Sequence, residues 1–362
     1  MNIVRNLVQR RRGKRITGAA GLVEAGLIEP ADAASCEDAA QAMPIGIPAA
    51  LAERLQGRDP NDPLVRQFVP AAAENWFSAQ ELCDPIGDGA NAPVPGIVHR
   101  YPDRVLLMPV LSCPAYCRFC FRRHAVGDGR MKPELLDAAL SYIANTPGIW
   151  EVILSGGDPL ILSPDRLGAL LGRLDRIRHV KTIRIHSRVP ALDPERISDT
   201  MIAALNISKP VWIVLHCNHP DEIDAPARAA IARLIDAGIP MLSQTVLLKG
   251  INDDPATMEA LMRRLIENRI KPYYLHHGDL ARGTSHFRTT LAAGRALIRR
   301  LRGRLSGIAQ PTYVLDIPGG HGKVPAGPCW ITRDEEDAGW LAEDISGVRH
   351  PYADEIEPGA PE

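Results

Sequence analysis

The feature that most constrains the fold of this chain is a regular alternation between short apolar runs and helical stretches. The apolar runs recur at intervals of about thirty residues, as expected when each strand is followed by a crossover helix. The run VLLMPV, at 105–110, is typical of a strand buried on both faces. Strands are predicted at 105–110, 151–154, 181–186, 211–215, 241–248 and 271–276, and helices at 49–56, 133–144, 165–175, 194–205, 225–237 and 255–268. The alternation predicts an α/β fold built from parallel βαβ units.

Six such units are fewer than the eight of a closed barrel, so the residues alone allow either a partial barrel or an open sheet. In both architectures, functional side chains gather where the strands end. Unusual residues do follow the predicted strands, and they include Cys113, Gly156, Gly157, Asp158, Ser187, Arg188, His216 and Asp279. This edge of the sheet is therefore the predicted functional site.

The composition excludes several classes of protein. Of the 362 residues, 45% are hydrophobic and 23% are charged, which is typical of a soluble globular protein. The formal net charge of -1 provides no bulk attraction to nucleic acid or to a membrane surface. The sequence contains neither an apolar run long enough to span a membrane nor a secretory leader pattern. We therefore expect a cytoplasmic protein with no membrane or nucleic-acid partner.

A basic cluster lies near the start of the sequence and comprises Arg5, Arg10, Arg11, Arg12, Lys14 and Arg15. Such a cluster is compatible with a transit peptide or with a nucleic-acid contact. We favour a solvated arm, because terminal residues are commonly poorly ordered.

The cysteine pattern indicates a metal site. Three of the seven cysteines lie in the segment LSCPAYCRFCFRRH at 111–124, with the spacing C-x3-C-x2-C. A [4Fe–4S] cluster usually takes four thiolates, so a loop with three leaves one iron open to another ligand. A zinc knuckle is the main alternative, but structural zinc requires four ligands and no second C-x2-C is present. We predict that Cys113, Cys117 and Cys120 hold an iron–sulfur cluster.

Two glycine-rich segments are candidates for close contact with a ligand. SGGDP, at 155–159, follows the second predicted strand, and GGHGK, at 319–323, lies near the end of the sequence. Glycines at 319, 320 and 322 allow a tight backbone with positive φ. The second segment does not fit a nucleotide-binding P-loop, because Ile317 replaces its first glycine and Val324 replaces its Ser or Thr. Without further context, a surface turn with a solvated lysine is the default interpretation.

Together these motifs resemble the radical S-adenosylmethionine (SAM) superfamily, and residues 60 to 350 resemble the lysine 2,3-aminomutases. The matching stretches are NDPLVRQ (61–67), PVPGIVHRYPDRVLL (93–107), CFRRH (120–124), LSGGDPL (154–160), IRIHSRVP (183–190), NHPDEI (218–223), QTVLLKGIND (244–253), KPYYLHHGDLARGTSHFRT (271–289) and PTYVLDIPGGHGKVP (311–325). The resemblance implies a partial (β/α)6 TIM-like barrel at 96–290. A mainly helical extension at 1–95 would precede it, and a C-terminal extension at 291–362 would carry the cofactor lysine.

The same resemblance implies three cofactors: a [4Fe–4S] cluster, SAM and pyridoxal 5′-phosphate (PLP). Lys323 corresponds to the lysine that forms a Schiff base with PLP. Candidate ligands of the PLP phosphate are Arg100, Arg104 and Gln244, of which Arg100 is the best match. The turn formed by Gly156, Gly157 and Asp158 corresponds to the segment that receives the amino group of SAM.

Three further residues are implied to bind the substrate. Arg122 corresponds to the arginine that binds the substrate carboxylate. Asp279 and Asp316 correspond to two aspartates that hold the distal ammonium of lysine. Two fixed anions favour a cationic side chain over a neutral or acidic one, which would leave them unpaired.

The implied activity is that of an isomerase that moves the amino group of L-lysine from carbon 2 to carbon 3. It would need an electron donor such as flavodoxin or ferredoxin. A homo-oligomer is also implied, but the chain lacks the C-terminal cysteine cluster of the longer family members and retains only Cys329 there. The short length also resembles the branch that makes β-lysine for elongation factor P, so free β-lysine production, the elongation factor P pathway and a related amino acid remain alternatives.

Overall fold

A curled sheet of nine strands forms the centre of the molecule. The computed structural model describes residues 15–127, 129–334 and 339–353. Within these residues, the sheet has strand order β1 to β9 in sequence order. The strands are β1 (Ile97–Tyr101), β2 (Arg104–Val110), β3 (Glu151–Gly156), β4 (Thr182–Ser187), β5 (Val211–His216), β6 (Met241–Val246), β7 (Lys271–His276), β8 (Thr312–Asp316) and β9 (Lys323–Pro325).

Strands β2 to β8 are parallel, and an antiparallel strand lies at each edge of the sheet. All six predicted strands are present, and the partial TIM-like barrel is confirmed. The sequence interpretation missed β8, which adds a seventh parallel strand, and the two edge strands β1 and β9. Since β8 belongs to the predicted C-terminal extension, that extension completes the sheet.

The longer helices that follow the parallel strands each bury one apolar stripe against the sheet. The helices are α1 (Ala19–Glu24), α2 (Ala33–Ala42), α3 (Ala49–Leu55), α4 (Pro63–Arg66), α5 (Pro133–Ala144), α6 (Pro164–Asp175), α7 (Val189–Leu192), α8 (Asp199–Leu205), α9 (Ala225–Asp236), α10 (Pro255–Glu267) and α11 (Leu291–Arg302). In α6, for example, the buried residues are Leu167, Leu170, Leu171 and Leu174. This spacing places four leucines on one helical face against the strands.

The predicted helix at 194–205 was wrong in its first half. A short 3-10 helix at Pro194–Arg196 precedes α8, which begins only at Asp199. The side chain of Ser198 accepts a hydrogen bond from the backbone N–H of Met201 and caps α8. A serine cap satisfies one of the free donors at a helix start, so it defines where the helix begins.

The segment before the sheet, at 15–95, contains short helices joined by loops. Helices α1 to α4 build a second core in which Leu22, Leu51 and Phe68 are buried. Ala115 of the cysteine loop and Leu192 of α7 belong to the same core. The N-terminal segment therefore packs directly on the carboxyl-terminal edge of the barrel.

After β9 the chain forms a small antiparallel sheet of three strands: β10 (Ile331–Arg333), β11 (Trp340–Glu343) and β12 (Arg349–Tyr352). An ion pair between Arg299 of α11 and Glu343 links this sheet to the barrel, with a distance of 2.9 Å. None of the described helices is long and apolar enough to cross a membrane.

Candidate active site

The three predicted cluster cysteines lie in one loop at the carboxyl end of β2. Two backbone hydrogen bonds hold the loop against the N-terminal segment. The backbone N–H of Tyr116 donates to the carbonyl of Gly46, at 3.0 Å, and that of Arg118 donates to the carbonyl of Gln67, at 2.8 Å. A turn within the loop is closed by a hydrogen bond of 3.0 Å from Cys120 to the carbonyl of Cys117.

The three thiols influence one another and are shielded from water. Burial raises the pKa of Cys113 well above its usual range, and the negative charges of Asp158, Cys120 and Cys117 add to that effect. Burial also raises the pKa of Cys120 to about 11, with Cys117 as the next cause. Three neighbouring buried thiolates are costly without a cation, so these residues suit a site in which a metal cluster compensates their charge.

Three thiols in one loop have the chemistry of an iron–sulfur ligand set. Among the described residues, no group of three or more His, Cys, Asp or Glu side chains converges closely enough to hold one metal ion. In a [4Fe–4S] cluster each thiolate binds a different iron, so its ligands surround a larger volume. The three cysteines would hold the cluster through three of its irons.

Arg188 contacts this site and was not among the predicted site residues. Its Nη1 donates to Sγ of Cys117 at 2.8 Å, and its Nη2 donates to Gln67 at 3.0 Å and to Glu222 at 2.5 Å. The cation is buried, and its ion pair with Glu222 compensates its charge. The available signal was its position directly after a predicted strand, in HSRVP.

A buried ion network behind the loop fixes its conformation. Arg118 is fully buried, and its Nη2 lies 2.7 Å from Oε2 of Glu74. Arg123 lies at the same distance from that oxygen. Arg118 also donates to the carbonyls of Met43 and Pro44, at 3.0 and 3.1 Å. Because Glu74, Met43 and Pro44 all come from the N-terminal segment, this segment braces the cysteine loop.

Arg15 corrects part of the interpretation of the basic cluster. It does not lie in a solvated arm: its Nη2 donates to the carbonyl of Cys113 at 3.2 Å, and its guanidinium covers the ring of Tyr116. The carbonyl oxygen and the aromatic face each attract a cation. Arg5, Arg10, Arg11, Arg12 and Lys14 lie outside the described residues.

The glycine turn after β3 lies against the cysteine loop. Gly156 has φ +101°, and a Cβ atom there would lie 2.8 Å from the carbonyl oxygen of Val110. A Cβ atom on Gly157 would lie 2.1 Å from the carbonyl oxygen of Ser112. Both positions therefore require glycine, which brings this turn next to Cys113 as a SAM-binding turn would need.

Asp158 has a different environment from the one expected. Its carboxylate accepts hydrogen bonds from Ser187 Oγ at 2.8 Å and from the backbone of Arg188 at 2.7 Å and Leu160 at 3.0 Å. Burial raises its pKa, while these hydrogen bonds oppose the shift. These bonds use both oxygens of Asp158 and tie the turn to the end of β4. The role of Asp158 as an acceptor for SAM stays a prediction.

A tight turn between β8 and β9 places Lys323. Gly319, Gly320 and Gly322 have φ values of +84°, +88° and +94°, which confirms the positive-φ backbone expected there. The turn pairs Lys323 directly with Asp316 across the two strands. The backbone N–H of Lys323 also donates to the hydroxyl of Tyr101, at 2.9 Å.

The Lys323 ammonium forms an ion pair with Asp316. His276, the last residue of β7, lies 3.5 Å from Nζ of Lys323 and 3.7 Å from Oδ2 of Asp316. Burial opposes ionisation of Asp316, but the nearby His276 ring and the Lys323 ammonium prevail and lower its pKa to about 2. Asp316 thus already binds an alkylammonium group of the same kind as the side chain of free lysine.

Asp279 is the second of the predicted ammonium ligands and lies near the first. Burial and the charge of Asp316 raise the pKa of Asp279 to about 7, with Lys323 and Arg122 acting in the opposite direction. A buried carboxylate whose pKa is raised by a neighbouring carboxylate would be stabilised in its charged form by a bound cation. The structure therefore brings together Asp279, Asp316 and Lys323.

Arg100 and Arg122 meet at the carboxylate of Asp88. Nε of Arg122 lies 2.6 Å from Oδ2 of Asp88, and Nη2 of Arg100 lies 3.5 Å from Oδ1. Nη1 of Arg100 also lies 3.9 Å from Asp316. Nε of Arg100 is buried and has no hydrogen-bond partner among the described residues. Such an orphaned donor suits a site that receives an anion, which fits the predicted phosphate ligand.

The other two predicted phosphate ligands are less clearly placed. Arg104 forms an exposed ion pair of 2.6 Å with Asp103 and covers the ring of Tyr101. Gln244 lies in β6 and pairs with His216 and Tyr274 on the neighbouring strands. Both remain predictions.

Sequence reasoning did not assign roles to three histidines at the ends of β4, β5 and β7. Burial is the main cause that lowers the pKa of His186, His216 and His276, so all three are neutral near pH 7. Nε2 of His186 and of His216 is buried and unpartnered within the described part of the chain. Imidazoles at strand ends were visible in the sequence, but their convergence depends on strand order.

Comparisons with known proteins agree with this geometry. Residues 108–262 match the family model for the radical SAM superfamily, and residues 298–354 match the model for lysine-2,3-aminomutase. Among solved structures, SuiB of Streptococcus suis bound to S-adenosylmethionine has a TM-score of 0.46 and 18% identity, covering 60% of this chain and 51% of that chain. That similarity is too weak for a conclusion to rest on it.

Curated relatives are far more similar. L-lysine 2,3-aminomutase of Clostridium subterminale is 42% identical over 300 residues, which cover 82% of this chain and 72% of the relative. L-lysine 2,3-aminomutase of Acetoanaerobium sticklandii is 44% identical over 275 residues, which cover 75% of this chain and 66% of that relative. Glutamate 2,3-aminomutase of Clostridioides difficile is 36% identical, with coverages of 76% and 66%. The chain thus spans about two thirds of the length of two of these relatives.

The superfamily uses a [4Fe–4S] cluster and SAM, and lysine 2,3-aminomutases, which are isomerases, also use PLP. The cysteine loop and the glycine turn beside it lie within the first matched region, whereas Lys323 and the strand that carries it lie within the second. Since a relative 42% identical is also matched over 72% of its own length, the chain belongs to the lysine 2,3-aminomutase family of radical SAM enzymes.

Proposed function

We propose that this chain moves the amino group of L-lysine from carbon 2 to carbon 3 and so produces β-lysine. The observation that carries the proposal is the group formed by Lys323, Asp316 and Asp279 beside two arginines. It combines a cofactor lysine, a paired-carboxylate site for an ammonium, and guanidinium groups for a phosphate and a carboxylate. A substrate with a carboxylate at one end and a cation at the other would match these charges.

Each residue has a separate part in the proposal. When bound, the cluster with SAM would supply an adenosyl radical that takes a hydrogen from carbon 3, and PLP would supply a π-system that spreads the unpaired spin. Cys113, Cys117 and Cys120 would hold the cluster, and Lys323 would hold PLP. Arg100 would bind the cofactor phosphate, Arg122 the substrate carboxylate, and Asp279 with Asp316 the distal ammonium.

The charge of the side-chain site favours lysine over glutamate. Asp316 binds an ammonium in this structure, and burial together with the charge of Asp316 raises the pKa of Asp279, so a further cation beside Asp279 would be favourable. A glutamate carboxylate would be a third anion beside them, which is unfavourable in a poorly solvated pocket. Production of β-lysine for elongation factor P uses the same initial chemistry, so the stereochemistry of the product separates it from the free-lysine pathway.

The decisive experiment is an anaerobic assay of the reconstituted protein. A brown protein with about four irons per chain, supplied with SAM, PLP and a strong reductant, should convert L-lysine to β-lysine but leave L-glutamate and L-arginine unchanged. Chiral separation of the products then assigns the branch. The Cys117→Ala variant should lose SAM cleavage, whereas Cys83→Ala, which changes an exposed cysteine outside the loop, should retain it. Absence of β-lysine from the iron-loaded protein would contradict the proposal.

A further inference from the structure

Asp88 lies at the junction of the two arginines to which the proposed function assigns different anions. Its carboxylate contacts Arg122 at 2.6 Å through one oxygen and Arg100 at 3.5 Å through the other. Each of the three side chains is about 13% exposed or less. A shielded carboxylate between two cations restricts both guanidinium groups more strongly than a surface ion pair would.

The contact with Arg122 uses only one edge of its guanidinium group. Nε donates to Asp88, and the guanidinium group makes no other hydrogen bond among the described residues. The plane also lies over the ring of Phe121, with 4.5 Å from Cζ to the ring centroid. Because Nε is bonded to Asp88 and the Phe121 ring covers one face of the guanidinium, the two terminal nitrogens remain to donate to a carboxylate in a bidentate manner.

The loop that carries Asp88 is itself fixed against the turn that precedes Lys323. Gly87 has φ +66°, and a Cβ atom there would lie 2.7 Å from the backbone of Gly319 and Gly320. The backbone N–H of Asp88 donates to Asp84 at 2.9 Å, and Asn91 donates to the carbonyl of Gly87 at 2.8 Å. These contacts set the position of the Asp88 carboxylate independently of the arginines.

We propose that Asp88 is a positioning residue that aims Arg122 at the α-carboxylate of the amino-acid substrate. Asp88 itself does not contact the substrate: it acts through the Nε of Arg122. The inference rests on the proposed function for the role of Arg122, but it applies to any α-amino acid, because every such substrate carries the same carboxylate. The longer contact with Arg100, which is also held by the carbonyl of Ile86 at 2.5 Å, makes cofactor binding less dependent on Asp88.

The test separates substrate binding from cofactor binding. We compare the unmodified enzyme with Asp88→Ala and Asp88→Glu, each loaded with cluster and PLP. Asp88→Ala should raise the KM for L-lysine about tenfold or more with a much smaller change in kcat, because a charge-assisted contact that orients the carboxylate ligand is lost. The affinity for PLP, measured from the absorbance of the bound cofactor, should change by less than about threefold. Asp88→Glu keeps the charge and should recover part of the loss.

A second comparison reports on the carboxylate directly. Binding of L-lysine and of lysinamide, which lacks the negative charge, is measured by the spectral change of bound PLP without SAM. The preference for lysine should fall about tenfold in Asp88→Ala. Asp199→Ala is the matched control: it removes an exposed carboxylate that pairs with Arg233 at 2.6 Å, so the preference should persist.

Two results would overturn the role of Asp88. One is an unchanged preference for lysine over lysinamide in Asp88→Ala. The other is an equal loss of lysine and PLP affinity in Asp88→Ala, which would indicate only a structural role for the loop. If the unmodified enzyme binds another amino acid instead of lysine, the proposed function fails, while the same comparison between that amino acid and its amide still tests Asp88.

Discussion

At the scale of single residues, neighbouring charges explain most of the site. Asp316 and Asp279 are both aspartates near Lys323, yet their pKa values move in opposite directions, to about 2 and to about 7. The difference arises because the Lys323 ammonium donates to Asp316 and His276 lies beside it, whereas Asp279 faces the negative charge of Asp316. The sequence identified both aspartates through a family resemblance, but their unequal protonation depends on which side chains meet across β7, β8 and β9.

This inequality predicts opposite effects of two similar substitutions. The folded protein retains a proton on Asp279 up to about pH 7, whereas an unfolded chain loses it near the ordinary value of 3.8. The stability of the cofactor-free protein should therefore fall as the pH rises through this window. Asp279→Asn removes that penalty, so its Tm should exceed that of the unmodified protein at pH 8, and by a smaller margin at pH 5. Its lysine affinity at pH 8 should nevertheless fall.

Asp316→Asn provides the control, because its carboxylate is stabilised in the folded protein. A lowered pKa contributes stability at every pH well above 3.8, and that contribution is lost only as the pH falls toward 2. The Tm of Asp316→Asn should therefore be lower at both pH 5 and pH 8. Thermal unfolding followed by circular dichroism measures both variants. A decrease for Asp279→Asn at pH 8 would be incompatible with its raised pKa.

At the scale of elements, the repeated strands within the sheet were predicted better than the strands near its end and the start of one helix. The six strands with long apolar runs were identified because each is buried on both faces. Strand β8, with the sequence TYVLD, was missed because it follows α11 at the end of the repeat and leads into a glycine turn. The helix predicted from residue 194 begins later in the structure. Pro194 starts a separate 3-10 turn, and Ser198 caps the α-helix that follows.

The contact between the β3 turn and the cysteine loop can be tested by adding one methyl group. Gly157→Ala would place Cβ 2.1 Å from the carbonyl oxygen of Ser112, and backbone on both sides prevents an easy shift. We expect a loss of roughly 1–3 kcal/mol in the free energy of unfolding and a markedly lower iron content after reconstitution. Chemical denaturation and iron analysis measure the two effects.

Gly172→Ala is the matched control, since nothing lies within 4 Å of the added Cβ in the middle of α6. It should be neutral or stabilise the protein by up to about 1 kcal/mol, because alanine favours the helix. Equal stability of the two variants would show that the turn can move away from the cysteine loop.

At the scale of the whole molecule, the N-terminal segment is part of the active-site structure. Its Glu74 compensates Arg118 and Arg123 in the buried network behind the cysteines. These contacts were not predicted, because nothing in the sequence pattern indicates that residues 15 to 91 pack around the loop at 111–127. Only helices were predicted for this segment.

Removing Glu74 should therefore affect the cluster as well as stability. Glu74→Ala leaves two arginines without their shared partner, and we expect a loss of about 3–5 kcal/mol in the free energy of unfolding, together with poor cluster retention. Glu259→Ala also removes a carboxylate shared by two arginines, Arg263 and Arg304, but at the surface. It should leave the denaturation midpoint and the iron content unchanged, because exposed ion pairs contribute little. Similar losses in both variants would rule out a special role for the buried network.

The contact of Gly87 with Gly319 and Gly320 also has a consequence for biosynthesis. A ribosome makes the loop at 84–91 early and the turn at 319–322 only after every parallel strand has been translated. The pocket around Lys323 therefore cannot close until the turn at 319–322 has emerged from the ribosome.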